Sequence, residues 1–143
     1  MLFPDVIRER LVSDINPNGT ITNSDLELVG GLLHRECAVQ CFDLTERTFH
    51  SETDNTPTLF WERKGSTSTA SIPPTVLRAG ALHQRYHRYV SRNDFRLGDT
   101  NTLADTASRF EGTDTELLAL FDSSFPQTKP WRLWTPSPDL LST

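Results

Sequence analysis

Three short motifs in this chain each set an acid at or near the expected start of a helix. They are NSDLE at residues 23–27, SETDNTP at 51–57 and LADTASR at 103–109. Their acids, Glu27, Asp54 and Asp105, carry hard carboxylate oxygens, the donors that Mg²⁺ prefers while keeping several of its own waters. Clustered carboxylates repel one another, and a bound cation or raised pKa values must offset that repulsion. Each acid also has a plainer role open to it. Ser24-x-x-Glu27 reads as a capping box, Asp54 as a cap for the helix opened by Pro57, and Asp105 as a first-turn acid that complements the helix dipole.

Other chemistry-bearing residues are fewer. Arg78, Arg85, Arg88 and Arg92 fall on one narrow stripe of a helix expected over 75–91. Such a stripe suits phosphate contacts or a solvated helix face. His83 and His87 are four apart, a spacing that binds zinc on a helix, but no acid or third ligand stands at matching spacing. His34 follows Glu27 on nearly the same helix side and reads as a packing or surface residue. Cys37 and Cys41, with no second pair, read as reduced thiols of an intracellular protein rather than a zinc site or a disulfide framework.

The elements that must position these groups are short. The chain has 143 residues, 36% of them hydrophobic, with nine prolines and seven glycines, so one domain with a thin core is expected. The net charge of −5 means that an anionic partner must be met by a local basic patch or by bound cations. No apolar run approaches the ~18 residues of a membrane span, and MLFPDVIRERL lacks the pattern of a signal peptide.

Residues 8–14 read as a short strand and NPNGT, 16–20, as a turn. A helix is expected from Asn23-Ser24, with an apolar stripe of Leu26, Val29, Leu33 and Cys37. Gly30-Gly31 within it would allow close packing on a sheet. A weak strand is expected at 47–53, a helix from Thr56-Pro57 to Lys64, and a flexible connector at 65–71. In the helix at 75–91, Ala79, Leu82, Tyr86, Tyr89 and Val90 form the apolar side, and a strand at 93–97 follows. Further helices are expected from Thr100-Asn101 and over 113–125, and then a loose tail in which Trp131 and Trp134 anchor on apolar surface. Helices alternating with weak strands indicate an α/β fold with a short mixed sheet.

The ordered set NSDLEL, TDN and LGDTNTLADTASR resembles the ribonuclease H domain of retroelement reverse transcriptases. The resemblance covers roughly residues 8–110 and leaves 111–143 as a helix and a proline- and tryptophan-containing linker. It implies that Glu27 lies on the first long helix, Asp54 at the end of a central strand, and Asp105 at the start of the final helix. The family opens with a β-hairpin whose first strand carries another Asp. No such strand stands before Glu27, so the chain is expected to begin at about the third strand of an incomplete fold. The segment before Asp54 is more polar than the family pattern, and Leu97 stands where proline is common.

The function implied is metal-dependent cleavage of RNA in RNA–DNA hybrids, within a polyprotein that also carries polymerase and integrase or recombinase domains. Two Mg²⁺ (or Mn²⁺) ions ~3.5–4 Å apart activate water and relieve charge on the leaving oxygen. The family shares these ions among four acids, of which this chain supplies Glu27, Asp54 and Asp105. The alternative is a catalytically inactive remnant that binds nucleic acid or links domains. Hybrid recognition would rest on shape and 2′-hydroxyl contacts, with Arg78, Arg85, Arg88 and Arg92 at phosphates.

Overall fold

The computed structural model describes residues 4–68 and 72–137. Its first helical turn, α1, spans Asp5–Arg8. The strand expected over 8–14 does not form. Only a single parallel bridge joins Leu11 to Ile21. The Asn16 side-chain amide donates to the Glu9 and Leu11 carbonyls at 3.0 and 3.3 Å, which folds the segment back on itself instead of extending it. The turn at 16–20 does form, with the Gly19 amide donating to the Asn16 carbonyl at 3.2 Å. A side chain at Gly19 would place its Cβ 2.6 Å from the Val12 nitrogen, so the close return of the chain requires glycine there.

Helix α2, Asn23–Cys41, begins with a capping box two residues earlier than the sequence suggested. The Thr22 hydroxyl accepts from the Asp25 amide at 3.2 Å, and the Asp25 carboxylate accepts from the Thr22 amide at 2.7 Å. Two of the amides that a helix N-terminus leaves orphaned are thereby satisfied. The buried face of α2 is Asp25, Leu28, Arg35 and Ala38, whereas Leu26, Val29, Leu33 and Cys37 are only half-buried. The displacement has a cause in packing. The Arg35 guanidinium lies in the core and pairs with Glu62, with both side chains under a tenth exposed. Gly31 abuts Glu62, where a Cβ would stand 3.2 Å from Oε1, and Gly80 abuts Arg35 at 3.1 Å from Nη1. The glycines of α2 were expected against a sheet. Instead, Gly31 clears space for a helix–helix ion pair.

Strand β1, Thr48–Thr53, leads into α3, Thr56–Lys64, and Gly65 caps α3 in the left-handed conformation. Residues 66–68 of the expected connector form neither helix nor strand, and its last part, Thr69 to Ser71, lies outside the described residues. Helix α4, Ile72–His87, is followed by strand β2, Val90–Phe95. The helix expected over 75–91 therefore starts and ends earlier, and the strand expected at 93–97 starts at Val90. Arg88 explains the second boundary, since its φ of 56° breaks the helix and turns Tyr89 into the core. Tyr89 is 4% exposed, whereas Leu82 and Tyr86, expected on the same apolar side, are 61% and 82% exposed.

Strands β1 and β2 pair in parallel, with His50 opposite Arg92 and Glu52 opposite Asp94. A parallel pair requires a crossover, which α3 and α4 supply. Among the described residues the sheet has these two strands only, so the mixed sheet expected from sequence is a parallel one. The α/β class itself holds: the described residues form six helices and this two-stranded sheet.

The chain divides into two compact units, Met1–Arg96 and Leu97–Thr143. The second contains a 3₁₀ turn at Gly98–Thr100, then α5, Thr102–Arg109, and α6, Asp114–Ser124. Thr113 and Glu116 form a capping box at the start of α6. The ring of Trp131 meets buried Phe121 edge-on at 5.2 Å, and its Nε1–H donates to the Phe125 carbonyl at 2.7 Å. Trp131 thus anchors the tail on α6, as its size suggested. The end of the tail, from residue 138, lies outside the described residues.

Candidate metal centres

Asp54 stands between the last residue of β1, Thr53, and the N-cap of α3, Asn55. The cap is Asn55 and not Asp54: its Oδ1 accepts from the Thr58 amide at 3.0 Å. Glu27 is likewise free of the capping duty that Ser24-x-x-Glu27 suggested, because Thr22 and Asp25 already close that end of α2. Both acids are left exposed.

The two helix starts are tied together. The Thr58 hydroxyl, in the first turn of α3, donates to the Ser24 carbonyl of α2 at 3.1 Å. Glu27 is one turn along α2 from Ser24, and Asp54 immediately precedes the cap of α3. The consequence is electrostatic. Partial desolvation, and then the negative charge of Asp54, push the Glu27 carboxyl above its ordinary pKa. The charge of Asp54 thus disfavours ionisation of Glu27, and neither exposed carboxylate serves a helix end.

Asp105 occupies the first turn of α5, in the second unit. There its carboxylate accepts from Arg109 Nε at 2.6 Å, an i,i+4 pair on the helix surface.

The four arginines do not form a single helical stripe. Arg78 and Arg85 are exposed on α4, Arg88 follows the end of that helix and pairs with Glu46, and Arg92 is on β2, its Nε 3.1 Å from Asp94. The break at Arg88 is the reason, since it ends the helical period on which the stripe was drawn. Asp94 also meets His50 Nε2 at 2.7 Å and Arg63 Nη2 at 2.8 Å. The hydrogen bond from His50, with the flanking Arg92 and Arg63, holds the Asp94 carboxyl below the usual carboxylate range. His34 packs the edge of its ring on Phe49 at 5.3 Å, in keeping with the packing role read for it.

A second group was only half visible in the sequence. His83 and His87 lie on the last turns of α4, and the third ligand that their spacing lacked comes from another helix. Glu36 of α2 brings a carboxylate oxygen to them, so that one ligand atom from each of the three lies within 4.8 Å of the others. The pair of histidines was the one signal available, because the α2–α4 packing that delivers Glu36 has no signature in local spacing. This group is able to hold a metal ion, and its nitrogen donors set it apart from the carboxylate pair.

No helix among the described residues is long and apolar enough to cross a membrane. No protein-family model, no curated protein and no solved structure matches this chain.

Proposed function

We propose that this chain carries part of a ribonuclease H-like domain of a retroelement polyprotein, whose inherited role is divalent-metal-dependent cleavage of RNA in RNA–DNA hybrids. The observation that carries the reading is the convergence of Glu27 and Asp54, two acids excused from capping and held close enough to repel. Glu27 is on a long helix and Asp54 directly follows a strand, placements the reading needs, whereas Asp105 is in the first turn of a helix of the second unit.

The donor set fits Mg²⁺ or Mn²⁺. It is all oxygen, exposed enough for the ion to keep several waters, and mutually repulsive until a cation arrives. Glu27 and Asp54 would be shared ligands. Bound ions of this kind supply an activated water and stabilise the leaving oxygen. The chain's own part is to hold the two carboxylates in place through Asn55, Thr58 and the Thr22–Asp25 box. Arg78 and Arg85, exposed on α4, would meet backbone phosphates, with Arg88 and Arg92 nearby in sequence. Polymerase and integrase or recombinase domains are the partners that such a polyprotein would supply.

The test is cleavage of a labelled RNA–DNA hybrid in Mg²⁺ or Mn²⁺ by the wild type, Glu27→Gln and Asp54→Asn. Metal-dependent cleavage lost in both variants supports the reading, and cleavage unchanged by Asp54→Asn removes it. Absence of cleavage, together with hybrid binding that weakens in Arg78→Ala and Arg85→Ala and falls with salt, favours the non-catalytic, nucleic-acid-binding alternative.

A further inference from the structure

Glu36, His83 and His87 form a site of different chemistry, and it does not depend on the nuclease reading. His83 Nε2 lies 2.8 Å from Glu36 Oε2, and the rings of His83 and His87 have centroids 4.4 Å apart. All three residues are half-buried at the α2–α4 contact. Two histidines one helical turn apart present their rings on one face, and the carboxylate from the facing helix closes the third side.

We infer that Glu36, His83 and His87 form a zinc-class site with two nitrogen donors, one oxygen donor and a fourth position open to water. Magnesium is excluded as the preferred ion by the donors, since imidazole suits zinc and its neighbours whereas Mg²⁺ requires oxygen. The dimensions are compatible. Zn–N and Zn–O bonds of about 2.0–2.2 Å in a tetrahedron set ligand atoms about 3.4 Å apart. The present atoms, spread over no more than 4.8 Å, reach that spacing by small side-chain rotations.

The surroundings fit a metal-binding histidine. His83 Nδ1 lies 2.8 Å from the Tyr89 hydroxyl, which is able to accept a hydrogen bond from Nδ1–H and leave Nε2 free to coordinate. The second oxygen of Glu36 is held by Gln40 Nε2 at 2.7 Å, fixing the carboxylate. The metal would join α2 to α4 beside the Arg35–Glu62 pair.

The test is titration of the full chain with Zn²⁺ alone, read by calorimetry and by the midpoint of thermal unfolding, with Co²⁺ as a spectroscopic substitute. One equivalent should bind, raise the midpoint, and give the visible absorption of a low-symmetry cobalt site. His87→Ala and Glu36→Gln should each weaken binding at least about 10-fold, and Tyr89→Phe about 10-fold through loss of the outer hydrogen bond. His87→Ala and Tyr89→Phe leave most packing intact, and metal-free unfolding curves verify that the variants fold. Cys37 and Cys41 are competing thiols, so the Cys37→Ser/Cys41→Ser chain must bind as the wild type does. Failure of Zn²⁺ to bind, equal binding by His87→Ala and Glu36→Gln, or binding abolished by the serine replacements would each overturn the site.

Discussion

Glu27 lies on α2 and Asp54 just before α3, and the charge of Asp54 adds to partial desolvation in raising the Glu27 pKa. An acid pair in this arrangement is a liability to a protein without metal. A carboxylate whose folded pKa is raised takes up a proton more readily in the folded state, so its contribution to stability declines as pH rises through that pKa. At neutral pH the pair therefore opposes folding. Asp54→Asn should raise the thermal midpoint of the metal-free protein at pH 7, by the equivalent of well under ~1 kcal/mol because both acids are exposed to screening. Added Mg²⁺ or Mn²⁺ should raise the midpoint of the wild type more than that of the variant. Differential scanning calorimetry in chelator and in metal checks both statements; a lower midpoint for the variant in chelator would show that Asp54 stabilises the fold by itself.

The division of labour between Asp54 and Asn55 makes a second test. Asn55 caps α3, and Thr22 caps α2. Replacing either by alanine should cost about 1 kcal/mol, the usual loss for a side-chain N-cap. Ser24→Ala should cost less than about 0.5 kcal/mol, as changes away from a cap do, and Asp54→Ala should cost nothing. Chemical denaturation of the four variants decides the matter. A loss for Asp54→Ala as large as that for Asn55→Ala would restore the capping role to Asp54.

The pattern of what sequence conveyed follows from how local each signal is. The helix at Thr56–Lys64 was legible to the residue because Pro57 opens it and Gly65 closes it. The helix at Asp114–Ser124 was legible from its amphipathic pattern, and a Thr113–Glu116 box opens it. The cap of α2 was misplaced because Thr22-x-x-Asp25 and Ser24-x-x-Glu27 both offer a hydroxyl and an acid at the same spacing. Only tertiary burial of Asp25, at 3% exposure, chooses between them. The end of α4 was misplaced because Arg88 takes a left-handed conformation that side chains rarely adopt and that no residue type announced. At the candidate centres, Glu27, Asp54 and Asp105 were marked in sequence by their motifs, and the structure puts Asp105 in the second unit. Glu36 was not so marked, because it meets His83 through helix packing across 47 residues of chain.

Arg35 and Glu62 cross the core between α2 and α3, with the guanidinium beside Gly80 of α4. Arg35 Nε finds no hydrogen-bond partner among the described residues, so the pair is imperfectly satisfied. Removing one member strands the other charge, and Glu62→Ala should destabilise by about 3–5 kcal/mol. Replacing both with apolar residues of similar volume, Arg35→Met with Glu62→Leu, should recover most of that loss. Denaturant midpoints across this double-mutant cycle measure the coupling. If the double variant is no more stable than Glu62→Ala, the pair is needed for more than neutralising its own charges.

Asp94 joins the strand surface to α3, since Arg63, His50 and Arg92 all reach it. Its pKa is lowered from 3.8 in the folded chain. The sign of the linkage follows directly. Above the ordinary carboxylate range both folded and unfolded states are ionised, and the full contribution is present. As pH falls, the unfolded chain takes up a proton first, and the contribution is lost as pH drops through the folded pKa. Part of the acid limb of the stability profile, below about pH 4, should therefore belong to Asp94. Asp94→Asn should flatten that limb and lower stability at pH 7, whereas the profile above pH 5 should keep its shape. Urea midpoints measured at closely spaced pH values for the wild type and the variant give the comparison. An acid limb of unchanged steepness in the variant would assign the loss to other carboxylates.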